Sequence, residues 1–244
     1  MTDIIAIGEI LIDLTQTGTV QNVGQYAANP GGAPANAAVA ASRLGASAAF
    51  IGKVGKDSFG RGLRQMLQRN HVSDLGLYET ADAPTTMAVV SIDGQGDRSF
   101  SFYRSGSADT LLTQEEALAA IRECPKFLHF GSVSLTAEPS RSATLAAVRR
   151  AKDLGAVISY DPNYRADLWP DKATACDWMK RPLDMVDILK VSEEELFLLS
   201  GSSCLEAGTK ELTRRGVTLV LVTLGDKGAF YRMGDHTGHV TLHF

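Results

Sequence analysis

The sequence predicts an α/β fold, in which a mostly parallel sheet is covered by helices on both faces. Three observations carry this prediction. The 244 residues are enough for one large α/β domain. Continuous apolar runs, typical of strands buried on both faces, recur at 4–8, 48–52, 127–131, 157–160, 188–191 and 219–222. Helical segments alternate with these runs at 57–70, 114–123, 140–154, 193–200 and 205–215, as in a parallel sheet.

Composition excludes several classes of protein. The net charge is −4, so no general attraction to nucleic acid or to an acidic membrane is expected. Acidic residues within the first 13 positions argue against a signal peptide, and no apolar run approaches the roughly 18 residues of a membrane helix. The cysteines are too far apart for a disulfide framework or a zinc site: Cys124, Cys176 and Cys204. We therefore expect a cytoplasmic protein with neither nucleic acid nor membrane as a partner.

The chain is organised around the segment 31–38, Gly-Gly-Ala-Pro-Ala-Asn-Ala-Ala. Its two glycines allow a sharp turn and the close approach of a ligand. Pro34 suits the first turn of a helix that we predict over 35–44. Asn36 falls in that turn, beside N–H groups that can hold hydroxyls or an anion. These residues leave two interpretations open, a ligand site or a tight turn without a ligand.

A β-rich region interrupts the alternation of strands and helices. Segment 85–104 contains two β-forming runs around an Asp-Gly-Gln-Gly-Asp turn, which predicts a hairpin. Together with the weakly strand-like segment 14–28, we predict that it forms a small β-lid beside the main domain. Phe100 and Phe102 share one face of the hairpin and form an apolar strip. The alternative is an edge hairpin with only a packing or dimer role.

Polar or small residues follow the predicted strands directly. Because parallel α/β sheets bind ligands outside the carboxyl ends of their strands, we expect a site where these residues meet. They are Glu9, Asp13, Asp161, Ser192, Thr223 and Gly225.

The loop after the strand at 157–160 carries chemistry suited to a phosphorylated or hydroxylated ligand. Asp161, Asn163 and Arg165 occupy alternate positions, so their side chains face the same way if the loop is extended. A carboxylate accepts hydrogen bonds from sugar hydroxyls, and arginine holds phosphate oxygens. The alternative is an Asp–Arg pair that braces its own loop.

Two later strand ends have both a structural and a functional interpretation. Ser192 and Glu195 fit a capping box, and the same carboxylates suit hydrated Mg²⁺ held through water. Segment 223–228, Thr-Leu-Gly-Asp-Lys-Gly, offers a hydroxyl and backbone N–H groups to phosphates. It equally fits an ordinary turn, because 229–232 reads as another strand.

Several well-known catalytic motifs are missing from the sequence. It contains no G-x-x-x-x-G-K-[ST] phosphate loop, no G-x-G-x-x-G after the first strand and no G-x-S-x-G nucleophile elbow. His236 and His239 have a metal-like spacing but no third ligand nearby, so we predict a solvated loop there.

The motifs in order resemble those of the PfkB group of ribokinase-like sugar kinases over nearly the whole chain. The matching segments are the sugar-binding turn 31–38, the first family signature 50–60, the N-x-x-E region 190–195 and the nucleotide-phosphate loop 223–228. Ser192 stands in the Asn place of N-x-x-E. Segments 104–112 and 161–165, with Leu168 and Trp169, look most like bacterial fructokinases. The resemblance implies a ribokinase-like three-layer α/β/α fold.

The resemblance also implies an activity and a set of site residues. It implies ATP-dependent phosphorylation of a primary hydroxyl of a small sugar, most similar to fructokinase activity, with Mg²⁺, a monovalent cation such as K⁺, and a homodimer through the lid. The implied sugar-binding residues are Asp13, Gly31, Gly32, Asn36, Arg104 and Asp161. The implied ATP- or phosphate-binding residues are Asn163, Arg165, Ser192, Thr223, Gly225 and Gly228. Glu195 is implied to support Mg²⁺ through water.

One departure from the family pattern is large. The second family signature, which resembles Asp-Thr-Thr-Gly-Ala-Gly-Asp, is expected soon after Gly228 and does not occur before Phe244. The resemblance places the catalytic base in that motif, so we expect no catalytic base in these residues and no measurable turnover from this chain. A non-catalytic sugar-binding remnant and a kinase for 2-keto-3-deoxygluconate or a riboside stay open as alternatives. A dehydrogenase is disfavoured by the missing dinucleotide motif.

Overall fold

A large sheet and a smaller one organise the chain in the computed structural model, which describes residues 2–21, 23–92 and 98–241. Their strands are β1 (Ile4–Ile7), β2 (Leu11–Val20), β3 (Val23–Gly31), β4 (Ala48–Gly55), β5 (Val72–Thr80), β6 (Met87–Ile92), β7 (Arg98–Tyr103), β8 (Phe127–Phe130), β9 (Val157–Tyr160), β10 (Ile188–Ser192), β11 (Leu219–Thr223), β12 (Ala229–Met233) and β13 (His236–Val240). Within the described residues the large sheet has nine strands in the order β13-β12-β11-β10-β9-β8-β1-β4-β5. Its pairs from β11 to β5 are parallel, and β12 and β13 add an antiparallel edge.

Helices connect the parallel strands. They are α1 (Ala33–Arg43), α2 (Ser58–Arg69), α3 (Gln114–Ala120), α4 (Ser140–Asp153), α5 (Lys172–Lys180), α6 (Glu193–Ser200) and α7 (Leu205–Arg214). The predicted N-cap of α2 is confirmed, because the Asp57 carboxylate accepts a hydrogen bond from the Gly60 N–H at 2.8 Å. The predicted capping box of α6 is confirmed as well.

The core lies on both faces of the large sheet. Ile5 and Ile7 pack into one cluster with the buried residues of α4 and α6, whereas the intervening Ala6 packs into a second cluster with α1 and α2. Because side chains alternate along a strand, the two clusters occupy opposite faces. The predicted α/β fold with helices on both faces is thus confirmed. The alanines of α1 let it lie close to β1, which brings the start of α1 to the end of that strand.

The structure also differs from the sequence-based predictions. The solvated loop predicted at His236 and His239 is wrong, because these residues lie in β13, which pairs with β12. Both side chains are exposed while their backbone is paired, so composition alone gave no strand signal. Strand β5 and helix α5 were not predicted. Strand β5 mixes polar and apolar residues at the sheet edge, where no continuous apolar run is needed.

The second sheet has the order β3-β2-β6-β7 within the described residues. Its strands lie in both segments expected for the lid, 14–28 and 85–104, of which Asn22 and the turn 93–97 lie outside the described residues. Strand β3 ends at Gly31, so the lid leads directly into the double-glycine turn. No helix of the described residues is long and apolar enough to cross a membrane.

Candidate active site

A cleft of about 240 Å³ opens where the lid meets the carboxyl ends of the central strands. It is lined by residues from β2, α1, β7 and the loops after β1, β8 and β9: Glu9, Leu11, Asp13, Gly32, Ala33, Asn36, Phe102, Val133, Asn163 and Arg165. Five of the residues implied to bind sugar, ATP or phosphate therefore meet in one place, namely Asp13, Gly32, Asn36, Asn163 and Arg165. Glu9, predicted only as a strand-end residue, meets them there.

The double-glycine turn forms one wall of the cleft and is packed tightly against the end of β1. Gly32 has φ +105°, and a Cβ there would lie 2.5 Å from the backbone oxygen of Glu9. A side chain at this position is therefore excluded both by conformation and by space. Gly31 leaves room for the carboxylate of Asp13, which a Cβ at Gly31 would strike. The two glycines thus allow the turn to lie directly against the backbone of Glu9 and the carboxylate of Asp13.

Glu9 lines the cleft, although the sequence indicated only a polar residue at the end of a strand. Its side chain is buried, at 3% exposure, and its Oε1 accepts a hydrogen bond from the Ala33 N–H at 3.0 Å. Its Oε2 has no hydrogen-bond partner among the described residues. Burial raises the pKa of Glu9 to about 7, although the charge of Arg104 and the Ala33 N–H oppose the shift. An acid directly after β1 was the only sequence signal for this residue.

Asp13 is the second carboxylate of the cleft. It lies on β2, opposite Asn29 of β3, and is half-buried. Burial raises the pKa of Asp13, and the nearby charge of Arg165 lowers it in part. Asn36 is exposed on the first turn of α1, at the mouth of the same cleft. Together these groups offer acceptors and one amide to a polyhydroxylated ligand.

The loop after β9 does not present its three polar residues to one side, as an extended loop would. Asn163 has φ +47°, which breaks the extended alternation. Asn163 and Arg165 line the cleft, whereas Asp161 pairs with Lys190 at 3.1 Å and does not line it. The loop is therefore not extended, and the common orientation predicted for an extended loop does not occur.

Glu195 lies outside the cleft and braces the loop after β9. Its Oε1 accepts a hydrogen bond from the Tyr164 N–H, and its Oε2 accepts one from the Ser192 N–H, each at 2.7 Å. The side chain is 6% exposed. Both oxygens are thus already engaged with backbone donors. Within the described part of the chain, no group of three metal-ligating side chains could hold a metal ion.

Of the other residues predicted for the nucleotide, Ser192 ends β10, and the remaining three lie at the end of β11 or in the turn after it. Thr223 is exposed, and its hydroxyl donates to the Val191 carbonyl at 3.3 Å. Gly225 begins a short 3₁₀ turn, and Gly228 ends it against the backbone of Val240 in β13. The 240 Å³ cleft includes none of these residues.

Arg104 follows the lid strand β7 and is buried, at 6% exposure. Its Nε donates to Asp109 at 2.7 Å, and its Nη1 donates to the Thr136 hydroxyl. Its Nη2 has no hydrogen-bond partner among the described residues. Arg104 lines a neighbouring cavity of about 580 Å³, which shares Phe102 with the cleft.

The apolar strip predicted for Phe100 and Phe102 can be examined only at Phe102. Phe102 lines the cleft, so it faces the candidate ligand site and is not part of a free outer strip. The side chain of Phe100 lies outside the described part of the structure.

Comparison with known sequences gives a consistent set of relatives. The family model described as "pfkB family carbohydrate kinase" matches residues 1–242. Fructokinase-1 of Oryza sativa subsp. japonica is 44% identical over 241 residues, which are 97% of this chain and 75% of the rice protein. Fructokinase-2 of Solanum lycopersicum is 41% identical over 232 residues, or 93% of this chain and 71% of the tomato protein.

Solved structures with the same fold are also similar in sequence. A double mutant of the fructokinase of Vibrio cholerae O395, with fructose, ADP and potassium bound, has a TM-score of 0.89 and 36% identity. That match covers 99% of this chain and 76% of the other. A fructokinase of Xylella fastidiosa with bound ATP has a TM-score of 0.90 and 32% identity, over 99% of this chain and 74% of the other.

Proposed function

Because this chain belongs to the pfkB family of carbohydrate kinases, we propose that it binds fructose in the cleft and positions one of the sugar's primary hydroxyls for phosphorylation by ATP. One observation carries the proposal. A single small cleft gathers two carboxylates, an exposed amide and an arginine at the carboxyl ends of parallel strands. This set of side chains suits a neutral ligand rich in hydroxyls on one side of the cleft and an anionic group on the other side of the cleft.

Each side of the cleft has its own chemistry. In this proposal Asp13, which lines the cleft, accepts hydrogen bonds from sugar hydroxyls, while the Asn36 amide both donates and accepts. Arg165 would hold phosphate oxygens, and Asn163 lines the same cleft. Catalysis in such a site is mainly positioning of the two reactants and stabilisation of charge.

The nucleotide is proposed to lie beyond Arg165, towards the loop at 223–228. Mg²⁺ bound to the nucleotide neutralises phosphate charge. Glu195 does not fit direct ligation, since both of its oxygens accept backbone N–H groups, so any contribution from it passes through water. K⁺ is part of the proposal only because a relative is described with potassium bound.

Calorimetric titration of the 244-residue chain with fructose tests the sugar assignment. We expect saturable binding of fructose, and weaker binding of 2-keto-3-deoxygluconate because its carboxylate would meet the carboxylates of the cleft. Arg165→Ala should weaken binding of ADP more than binding of fructose. Tighter binding of the anionic sugar, or no binding of fructose, would contradict the assignment.

We also propose a homodimer formed through the lid. Lid strands β2 and β3 expose large apolar side chains, with Val20 51%, Val23 68% and Tyr26 44% exposed. Light scattering should give a dimer for the wild type and a monomer for Val23→Ser/Tyr26→Ser. Leu75→Ser is the matched control, because Leu75 is 81% exposed but lies on β5, an edge strand of the large sheet and not a strand of the lid sheet. A monomeric wild type at micromolar concentration would refute the dimer.

A further inference from the structure

Helix α1 begins without a side-chain cap of its own. Its N-cap residue is Gly32, which makes no side-chain hydrogen bond to the first turn. Four other helices are capped by the residue that directly precedes them: Asp57, Thr113, Asp171 and Ser192. The helix that carries the double-glycine turn therefore depends on another part of the chain for this interaction.

Glu9 supplies that interaction from the end of β1. Its carboxylate accepts the Ala33 N–H at 3.0 Å, at the first residue of α1. Its backbone also packs against Gly32, where no Cβ fits. A negative charge at a helix N-terminus is favourable, and substitution of such a cap destabilises the first turn of the helix. Glu9 thus contacts the turn at two adjacent residues, Gly32 through its backbone and Ala33 through its carboxylate.

The surroundings of Glu9 contain charges from several elements. Arg104, from the loop after β7, and Asp109 both act on it electrostatically. These two residues pair with each other at 2.7 Å, and Asp109 also accepts a hydrogen bond from the Thr86 hydroxyl. Asp13 and Arg165 lie in the same cleft. Glu9 therefore lies between the base of the lid and the double-glycine turn.

We propose that Glu9 is a positioning residue that caps α1 from β1, and that its ionisation controls how firmly the double-glycine turn is held for the sugar. The sugar part of this inference rests on the proposed function. An ionised carboxylate is a stronger acceptor for the Ala33 N–H than a neutral carboxyl group. Sugar binding to the fixed turn therefore favours the ionised form, and by linkage binding releases a proton.

The proton linkage is measurable near neutral pH, because burial raises the pKa of Glu9 to about 7. Fructose titrations at pH 7 in two buffers of different ionisation enthalpy give the number of protons released. We expect wild type to release a fraction of a proton and its affinity to rise from pH 6 to pH 8. Glu9→Gln keeps an acceptor for Ala33 but cannot ionise, so we expect affinity within ~3-fold of wild type, without proton release or pH dependence.

Glu9→Ala removes the cap altogether, and we expect fructose affinity to fall ~10-fold, within the range for loss of a helix cap. Asp57→Asn is the matched control, a carboxylate cap on α2 outside the cleft. It should leave the proton release on fructose binding unchanged. A purely structural Glu9 would give no difference in proton release between wild type and Glu9→Gln, and that result would overturn the proposal.

Hydrogen exchange at the Ala33 amide separates this proposal from the fructose assignment. We expect this amide to be protected in wild type, partly protected in Glu9→Gln and fast in Glu9→Ala, with or without sugar. If wild type binds no fructose, the proposed function fails while the exchange pattern still supports the cap. Equal protection in all three proteins would refute the cap itself, even if fructose binds.

Discussion

Two regions of this protein use buried carboxylates in different ways. In the first, which we term the sugar region after its proposed ligand, Glu9 and Asp13 line the cleft, and burial raises the pKa of each. One oxygen of Glu9 has no hydrogen-bond partner among the described residues. In the second, which we term the brace, Glu195 is equally buried, but both of its oxygens accept backbone N–H groups of Tyr164 and Ser192.

The difference teaches how to separate a carboxylate that keeps a free acceptor in a cleft from one that is fully used by the fold, when both follow a strand. A carboxylate whose oxygens are all engaged by backbone donors stabilises the fold and has little capacity left for a ligand. When a carboxylate is desolvated and incompletely hydrogen-bonded, its ionised form is unfavourable, and the rest of the fold must offset that cost. The four predictions below test this contrast, beginning with the largest expected effect.

The brace should be the more costly region to remove. Glu195→Ala leaves two part-buried N–H groups without acceptors, and hydrogen bonds to charged groups contribute about 1.5–3 kcal/mol each. We expect the free energy of unfolding to fall by roughly 3–5 kcal/mol in urea titrations. Glu194→Ala, an exposed neighbour on the same helix, is the control and should stay within about 0.5 kcal/mol of wild type. A fall in the free energy of unfolding of less than about 1 kcal/mol would show that Glu195 does not brace the fold, and the two regions would then not differ in this way.

The sugar region should instead make stability depend on pH. The pKa of Glu9 is raised from 4.5 to about 7 in the folded state, so folding favours its protonated form. That stabilisation is fully present below about pH 4.5 and is lost as the pH rises through about 7, for a total of about 3 kcal/mol.

The measurement is the difference in unfolding free energy between wild type and Glu9→Gln from pH 5 to pH 8. His129, whose pKa burial and Lys190 lower to about 4, contributes in the same way to both proteins and cancels. A constant difference across this range would show that Glu9 titrates normally in the folded protein.

Within the sugar region, Asp13 should carry most of the affinity. Asp13→Asn replaces a charged acceptor by a neutral amide, and we expect fructose to bind about 10–100-fold more weakly, with a normal unfolding transition. Asp226→Asn, an exposed carboxylate in the loop at 223–228, should leave fructose affinity unchanged. Equal effects of the two substitutions would show that the carboxylates act only through the overall charge.

The smallest effect is expected for Asn36. It is exposed on α1, so Asn36→Ala removes a hydrogen bond to the ligand without opening a cavity in the core. We expect fructose affinity to fall about 2–10-fold, since a neutral hydrogen bond contributes about 0.5–1.5 kcal/mol. Calorimetric titration measures the loss, and unchanged affinity would place the sugar away from the start of α1.

Several features followed from the sequence by itself. The alternation of apolar runs and amphipathic segments predicted the parallel sheet and its covering helices, since each pattern is set by the local repeat of a strand or helix. The cap at Asp57 and the capping box of Ser192 and Glu195 were predictable because donor and acceptor lie within four residues of each other. The double-glycine turn was recognisable because only glycine tolerates its backbone and its close contacts.

Tertiary structure alone decided which strand-end residues share a site. Glu9 caps a helix that begins 24 residues later, and Asp161 pairs with Lys190 on another strand instead of joining the cleft. Strand β13 is defined by its pairing with β12 and not by its own composition. Such contacts depend on how crossovers bring distant segments together. A linear pattern records what each segment buries, but not which neighbour completes its hydrogen bonds.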